Sequence, residues 1–408
     1  MTFTVRTIND AELPAYLEAM TVSFLARLDI ARLSDELRPH WDLSRAWAGL
    51  DGDRICGTFR SWASELTVPG GQRLPATAVT AVTVLPTHRR QGLLRRMAAA
   101  EHGAARRRGE VFGLLYASEY PIYGRFGYGP ACLQATWTLD ALSSQFHGEG
   151  DGRVELVPVS DETRQTLIYV FDAHRQRQPG EMRRREISWQ YDLGLESAWG
   201  ERWRGFVALH RDSTGAADGY VRYRTEDKWD QRQPRGVLTV DELHALTDEA
   251  YAALWRFVAE VDLIATVKAE MRRPAERLPW LLTNARAAAP SDLGDGLWVR
   301  IFNVQRALEA RTYERPVKMA LEVVDEELDG GRQVVWIDAG PSGVECRPTD
   351  RPADLTLPVA ALGAAYLGGT RLSDAVIATG AQQHRAGALA ELDAALRTAD
   401  APWCSTHF

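Results

Sequence analysis

Thr80-Ala-Val-Thr-Val-Leu-Pro-Thr-His-Arg-Arg-Gln-Gly-Leu-Leu-Arg-Arg-Met97 decides how this chain is read. The first five residues have the β-branched character of a strand. Leu85-Pro86 breaks it, and from Leu93 the apolar residues recur at helical spacing. A strand that hands over to a helix leaves the first N–H groups of the helix unpaired above the strand end. The aligned peptide dipoles make that end partly positive. The result is an anion cradle suited to a pyrophosphate. Arg89 and Arg90 add charge, and Gly92 lets a phosphate approach the backbone with no Cβ in the way. A P-loop would need Gly-Lys-Ser/Thr, and a dinucleotide fingerprint would need three glycines. The stretch has neither.

After the helix, Val111-Phe-Gly-Leu-Leu-Tyr-Ala117 is an apolar run with the length of a buried strand. It leads into Ser118-Glu-Tyr-Pro-Ile-Tyr-Gly-Arg-Phe-Gly-Tyr-Gly-Pro130. Arg89-x-x-Gly92-x-Leu94 resembles the acetyl-CoA loop of the GCN5-related N-acetyltransferases. That family usually carries Gly or Ala at the last position, and Leu94 departs from it. Tyr123-x-x-x-Gly127-Tyr128 matches the family's short helix with its Tyr, followed by a Gly-aromatic pair. The resemblance implies that Tyr123 stands near the cofactor sulfur and protonates the departing thiolate. A phenol with an unperturbed pKa of about 10 suits that role beside a thiol at about 8.5.

His88-Arg-Arg-Gln-Gly-Leu-Leu94 together with Ile122-Tyr-Gly-Arg-Phe-Gly-Tyr128 resembles the Eis (enhanced intracellular survival) branch of these enzymes. Leu278-Pro-Trp-Leu-Leu282 with Arg286, then Asp295–Ile301 and Asn303–Glu309, resembles that branch's junction into a third domain. Asp354-Leu-Thr-Leu-Pro-Val359 with Leu362 to Gly368 resembles the start of a sterol-carrier-like helix. The resemblance spans essentially the whole chain. It implies an α/β (α+β) protein of three parts. Residues 1–150 form a catalytic acetyltransferase fold, 151–287 a degenerate copy, and 288–408 a sterol-carrier-like domain ending in a catalytic C-terminus. A hexamer is implied as well.

Length and composition set the outer bounds. At 408 residues, two or three domains are expected. No run of about 18 apolar residues is present, so no membrane span is expected. The N-terminus lacks a charged-then-apolar signal region. Cys56, Cys132, Cys346 and Cys404 are scattered, without Cys-x-x-Cys spacing. They read as unpaired thiols of a reducing cytoplasm, and no His/Cys cluster suggests a metal. The net charge of -7 weighs against nucleic acid and favours approach of a cationic amine. The three lysines, Lys228, Lys268 and Lys318, fit an arginine-biased genome.

Along the chain, Asn9 with Glu12 makes a capping box, and Leu13, Tyr16, Leu17 and Met20 follow at helical spacing. Strands are expected at Ala46–Leu50 and Ile55–Trp62, with a turn at Pro69-Gly-Gly71. Gly127 to Pro130 and Thr136–Leu139 are expected to close the first domain, with His147-Gly-Glu-Gly-Asp-Gly152 as linker. Residues 153–285 repeat the plan in degraded form. Gly236–Leu243 stands for the cofactor strand, but Ala245-Leu-Thr-Asp248 lacks the arginines and glycine, and no glycine opens the helix at Ala250–Ala259. A second acetyltransferase fold that cannot hold CoA is expected. Strands at 297–302, Met319–Val324 and Gln333–Asp338, then helices at 358–367, 371–378 and 386–397, make up the last part. An apolar interior there serves folding before any lipid.

Acetylation needs a neutral amine, an activated acyl carbonyl and a proton for the thiol. Main-chain groups near Val82 and Val84 can bond the acyl and pantetheine groups, polarising the carbonyl without a side chain. Arg89, Arg90, Gly92 and Leu93 would hold the pyrophosphate, and Tyr123 would be the acid. Glu65, Glu119 and His407 are candidates for the base. The chain ends in Trp403-Cys-Ser-Thr-His-Phe408, an apolar tip that suggests docking. By the Eis resemblance, the terminal carboxylate of Phe408 is the base. Its ordinary pKa of about 3.5 is low for that task, so action through water or on the ammonium is the alternative. Phe24, Trp41, Trp62 and His407 would line the amine pocket, since ring faces hold cations. Family members that acetylate aminoglycosides carry acidic residues near the end of the first helix and just before the terminal Phe. Here Ala26 and His407 stand there, with Asp29 and Asp35 nearby. The reading is therefore an acetyl-CoA-dependent N-acetyltransferase of primary amines (aminoglycoside-like, polyamine or lysine) working by direct attack through a tetrahedral intermediate. A longer-chain acyl-CoA N-acyltransferase and a non-catalytic lipid- or CoA-binding protein are the alternatives.

Overall fold

The computed structural model describes residues 3–148, 153–197, 199, 201–327 and 331–408. Residues 149–152 of the expected linker lie outside them. The chain opens with β1 (Thr4–Thr7), α1 (Leu13–Ser23), α2 (Ile30–Leu37), β2 (Ala46–Asp51), β3 (Arg54–Thr67), β4 (Arg73–Val84), α3 (Leu93–Arg107), β5 (Phe112–Tyr116), α4 (Tyr120–Tyr123) and β6 (Gly129–Pro130). It continues with β7 (Leu133–Asp140), β8 (Arg153–Val157), α5 (Asp161–Arg175), α6 (Glu186–Asp192), β9 (Phe206–Arg211), β10 (Ala217–Glu226), β11 (Trp229–Asp230), β12 (Gln233–Pro234), β13 (Gly236–Ala245), α7 (Asp248–Ala259), β14 (Ile264–Arg272) and β15 (Ala288–Asp295). The last part holds β16 (Leu297–Ile301), α8 (Val304–Ala310), β17 (Val317–Val324), β18 (Arg332–Gly340), β19 (Gly343–Pro348), β20 (Leu355–Pro358), α9 (Val359–Ala365), α10 (Leu372–Thr379), β21 (Gln382–Gln383) and α11 (Ala388–Leu396).

Two compact units result. One comprises the chain to Cys132, Leu297–Pro402 and His407–Phe408; the other comprises Leu133–Gly296 and Trp403–Thr406. The first unit contains a seven-stranded sheet in the order β1-β2-β3-β4-β5-β16-β6 and a five-stranded sheet β19-β18-β17-β20-β21. The second contains a seven-stranded sheet β15-β7-β14-β13-β10-β9-β8. In each seven-stranded sheet one pair is parallel, β4 with β5 and β13 with β14, and the crossover is a helix, α3 or α7. The repeated plan read from the sequence is thus present as topology.

Two strands lie elsewhere than expected. Thr136–Leu139, expected to close the first domain, belongs to β7 and pairs with β14 and β15 in the second sheet. The strand at 297–301, expected in the third part, inserts between β5 and β6 of the first sheet. All five residues of β16 are buried, as a central strand requires. Helix α9 lies against β16 and β6, and a Cβ at Gly129 would come within 2.7 Å of the Ala364 nitrogen.

Local chemistry explains the elements that frame the site. The capping box at the start of α1 is formed, Glu12 N to Asn9 Oδ1 at 3.2 Å and Asn9 N to Glu12 Oε2 at 3.0 Å. Leu13, Tyr16, Leu17 and Met20 are all buried. Helix α3 is pinned to the sheet by Glu101, which is wholly buried. Its carboxylate accepts from Trp47 Nε1 (2.7 Å), Ser61 Oγ (2.6 Å), Thr77 Oγ1 (2.9 Å) and Arg108 Nη2 (2.6 Å). A buried acid with four donors is fully satisfied, and it ties the cofactor-loop helix to β2, β3 and β4.

Candidate active site

The register of β4 creates the central feature. On one side β4 pairs with β3 along its whole length, from Thr67↔Arg73 to Gly57↔Val84. On the other side it pairs with β5 only at Ala76↔Phe112, Thr77↔Gly113 and Ala78↔Leu114. Beyond Ala78 the two parallel strands part. A bulge sits at the parting: Arg60 faces Thr80 and Thr58 faces Thr83, while Ala81 has φ 52°. Thr58 Oγ1 fixes it with hydrogen bonds to Ala81 O and Thr83 Oγ1, both 2.7 Å. Leu85 N donates to Cys56 O on the β3 side (2.8 Å). By alternation, Val84 turns its main-chain groups away from β3, toward the opening. Val82 sits at the bulge itself.

The opening continues into the anion cradle. Gly92 is the N-cap of α3 with φ 79°, and Arg90 has φ 62°. No side chain caps α3, and a Cβ at Gly92 would meet nothing within 4 Å. The space above these N–H groups is open to a phosphate. Arg89 and Arg90 are exposed beside it, and Leu93 is buried beneath. This donor set fits a pyrophosphate followed by an extended chain of amides.

Tyr123 ends α4 and is 6% exposed. Burial pushes its phenol above the ordinary value, a bond with the Ser118 side chain opposes this, and the Glu119 charge adds to it. Tyr123 is therefore protonated through the neutral range. Its loop is held from behind. Tyr128 N donates to Tyr123 O (3.3 Å), the two rings stand edge to face with centres 6.3 Å apart, and Arg300 donates to Phe126 O. Arg300 also makes a two-pronged ion pair with Asp325, both contacts 2.8 Å. The Tyr128 hydroxyl lies 3.0 Å from His102 Nε2, and His102 Nδ1 lies 2.6 Å from Glu327.

The expected amine pocket is partly assembled. Trp41 and Trp62 are buried, and the Arg60 guanidinium lies over both rings, at 4.0 and 5.6 Å from their centres. The Phe408 ring packs edge-on against Trp62 at 4.8 Å and Tyr116 at 5.4 Å. His407 stands 4.9 Å from Tyr116, and burial lowers its imidazole below the ordinary value. Phe24 instead caps the C-terminus of α1 and is 54% exposed. Glu65 lies on β3 and by alternation faces opposite to Trp62, while Glu119 is exposed at the start of α4. Sequence reasoning missed Arg60 and Tyr116; a period-2 reading of β3 would have put Arg60 on the face of Trp62.

Comparison with known proteins identifies the fold. Models of the acetyltransferase (GNAT) domain match residues 4–131 and 180–301, and a sterol carrier protein domain model matches 304–405. The N-acetyltransferase Eis of Mycobacterium tuberculosis (strain ATCC 25177 / H37Ra) is 37% identical, over 84% of this chain and 83% of its own. The chain belongs to the Eis family of N-acetyltransferases. An uncharacterized N-acetyltransferase of Streptomyces griseus is 40% identical over the full length of both chains. The crystal structure of Eis1 from Mycobacterium abscessus covers 99% of this chain and 100% of its own, with a TM-score of 0.86 and 30% identity. The Eis-family chain described here is an enzyme of the acyl-CoA-binding acetyltransferase fold, followed by a sterol-carrier-like domain. None of its described helices is long and apolar enough to cross a membrane.

Proposed function

We propose that this enzyme transfers an acetyl group from acetyl-CoA to a primary amine of a small molecule or lysine. The observation that carries this reading is the parting of β4 from β5 beyond Ala78, directly before the Gly92 cradle. When bound, acetyl-CoA would supply an activated thioester. Arg89, Arg90, Gly92 and Leu93 hold its pyrophosphate, and main-chain groups of Val82 and Val84 bond the acyl and pantetheine groups. Tyr123 donates the proton that the departing thiolate needs. The Phe408 carboxylate takes the proton of the amine, directly or through water. Trp41, Trp62 and His407 wall the acceptor. Arg60 puts a cation into that wall, and with Ala26 and His407 in place of acids it weighs against polycationic acceptors.

The four cysteines are unbridged and buried, which suits a reducing cytoplasm. A homo-oligomer, hexameric as the Eis resemblance implies, is the assembly we assign, with neither nucleic acid nor membrane as partner. The test is amine-dependent thiol release from acetyl-CoA across a panel of monoamines, polyamines and lysine peptides, with longer acyl-CoAs as competitors. Release with acetyl-CoA and at least one amine supports the reading. Preference for a long acyl chain would transfer it to the acyltransferase alternative, and CoA binding without release would favour a binding protein.

A further inference from the structure

The second sheet retains the plan of an acyl-CoA-binding fold without its anion cradle. Its parallel strands β13 and β14 pair from Gly236↔Ile264 to Val240↔Ala269, with a shift of one residue after Gly236, and β13 has a bulge next to the end of that pairing, between Arg222↔Glu242 and Tyr223↔Val240. In the first sheet the corresponding place is the opening. In the second it is filled. Arg272 Nη1 donates to Leu243 O at 2.9 Å, and Trp403 Nε1 donates to Met271 O at 2.7 Å. The indole of Trp403 is held under Arg272 and Arg273, at 4.8 and 5.0 Å from its centre, and the main-chain N–H of Trp403 donates to Pro179 O at 2.9 Å.

The next residues are gripped by charge. Glu181 is wholly buried. Its carboxylate accepts from Ser405 N (2.8 Å), Ser405 Oγ (2.7 Å) and Thr406 Oγ1 (2.8 Å). Arg184 donates to Thr406 Oγ1 (2.9 Å) and Ser405 Oγ (3.1 Å), and its guanidinium is stacked on Phe171 and Trp189. His244 Nε2 lies 3.1 Å from Ser405 Oγ and 2.9 Å from Glu242. An apolar terminus could dock on a hydrophobic patch alone. A buried acid that accepts from one main-chain N–H and two hydroxyls of the tail, beside a guanidinium that donates to both hydroxyls and is neutralised by Glu242, is the chemistry of peptide recognition.

We propose that the second unit keeps the cleft of a cofactor-binding fold as a receptor for the segment Trp403–Thr406, and that Glu181 is the positioning residue that delivers Phe408. The delivery part rests on the reading that Phe408 acts in acyl transfer; the receptor part stands on the contacts of Glu181 and Arg184. Trp403 takes the place of the acyl-bearing chain between the parted strands. The two residues that follow Thr406 are those that pack on Trp62 and Tyr116.

Hydrogen exchange and steady-state kinetics on the full-length enzyme test this together. In wild type the expected result is slow exchange of the Ser405 amide, which donates to Glu181. Glu181→Ala speeds it by on the order of tenfold or more, leaves the amides of β3 and β4 unchanged, and lowers kcat by roughly tenfold with the KM for acetyl-CoA unaltered. Ser405→Ala combined with Thr406→Val leaves the Glu181 pocket intact and gives the same kcat loss. A collapsed fold would instead raise exchange throughout, and the double variant then decides. Wild-type kcat in both variants overturns the delivery, and unchanged Ser405 exchange in Glu181→Ala overturns the receptor. If wild type acetylates no amine, the acyl-transfer reading fails by itself, and the exchange result still decides whether Glu181 holds the tail.

Discussion

The ring of Phe408 meets the indole of Trp62 edge-on, with centres 4.8 Å apart, so the last residue of the chain packs on the strand that borders the opened β4. An edge-to-face pair of this kind is worth about 0.5–1.5 kcal/mol beyond its buried area. Phe408→Ala keeps the terminal carboxylate in its place along the chain but loses the ring that holds it; deleting Phe408 moves the carboxylate back onto His407, one residue short. We expect amine-dependent thiol release to fall about tenfold in the substitution and on the order of a hundredfold in the deletion. A deletion variant with full turnover would take the terminus out of the chemistry.

Tyr123→Phe removes the acid while preserving the ring. A loss of about a hundredfold in kcat is expected, with little change in acetyl-CoA binding. Tyr123 acts in its protonated form, and its raised pKa means that this form persists until the pH climbs past the ordinary phenol value of about 10. No falling limb between pH 7 and 9 belongs to it. A limb in that range that vanishes in Tyr123→Phe would contradict the assignment.

Acid should loosen both units. His102 in the first, and His174 and His244 in the second, are lowered by burial. Between the ordinary value of about 6.5 and the lowered one, the unfolded chain takes up protons that the folded chain refuses, so stability is lost as pH falls. From pH 6.5 to 5 each wholly buried imidazole costs at most about 2 kcal/mol. Thermal melts at pH 7.5, 6.5 and 5.0 should show falling midpoints, with a smaller fall in His102→Gln. Equal midpoints at pH 7.5 and 5.0 would rule out buried neutral imidazoles.

Glycines next to Tyr123 should differ sharply. Gly127 has φ 77°, and a Cβ there would strike the Arg300 guanidinium and Val359. Gly124 has helical angles and open space. Gly127→Ala should cost about 1–3 kcal/mol and lower turnover by displacing Tyr123, whereas Gly124→Ala should stay within about 0.5 kcal/mol. Melting midpoints and kcat of the two variants decide; similar effects would mean that Arg300 does not hold the loop.

What was legible in the sequence was local. The capping box at Asn9, the helix from Leu93 and the Tyr123 turn each depend on residues within a few positions of one another. The strands misplaced from sequence are those whose partners are distant. Leu297–Ile301 reads correctly as a buried strand, but nothing in five apolar residues says that its neighbours are Phe112–Tyr116 rather than the strands after it. Thr136–Leu139 has the same ambiguity and pairs about 130 residues away. Arg60 went unnoticed because a charged residue in a strand reads as solvent-facing, whereas two indoles cover it. Glu181 and Arg184 stand next to further arginines, Arg183 and Arg185, and no residue within a few positions points to the tail that they hold.

The ring of Phe408 stands against Trp62 on β3 and Tyr116 on β5, so this corner of the first sheet borrows one of its walls from a residue far along the chain from the strands it covers. During synthesis β3 and β5 emerge long before Phe408 does. Until it arrives, the two aromatic faces that it covers stay open to solvent, and a nascent chain halted short of it exposes them.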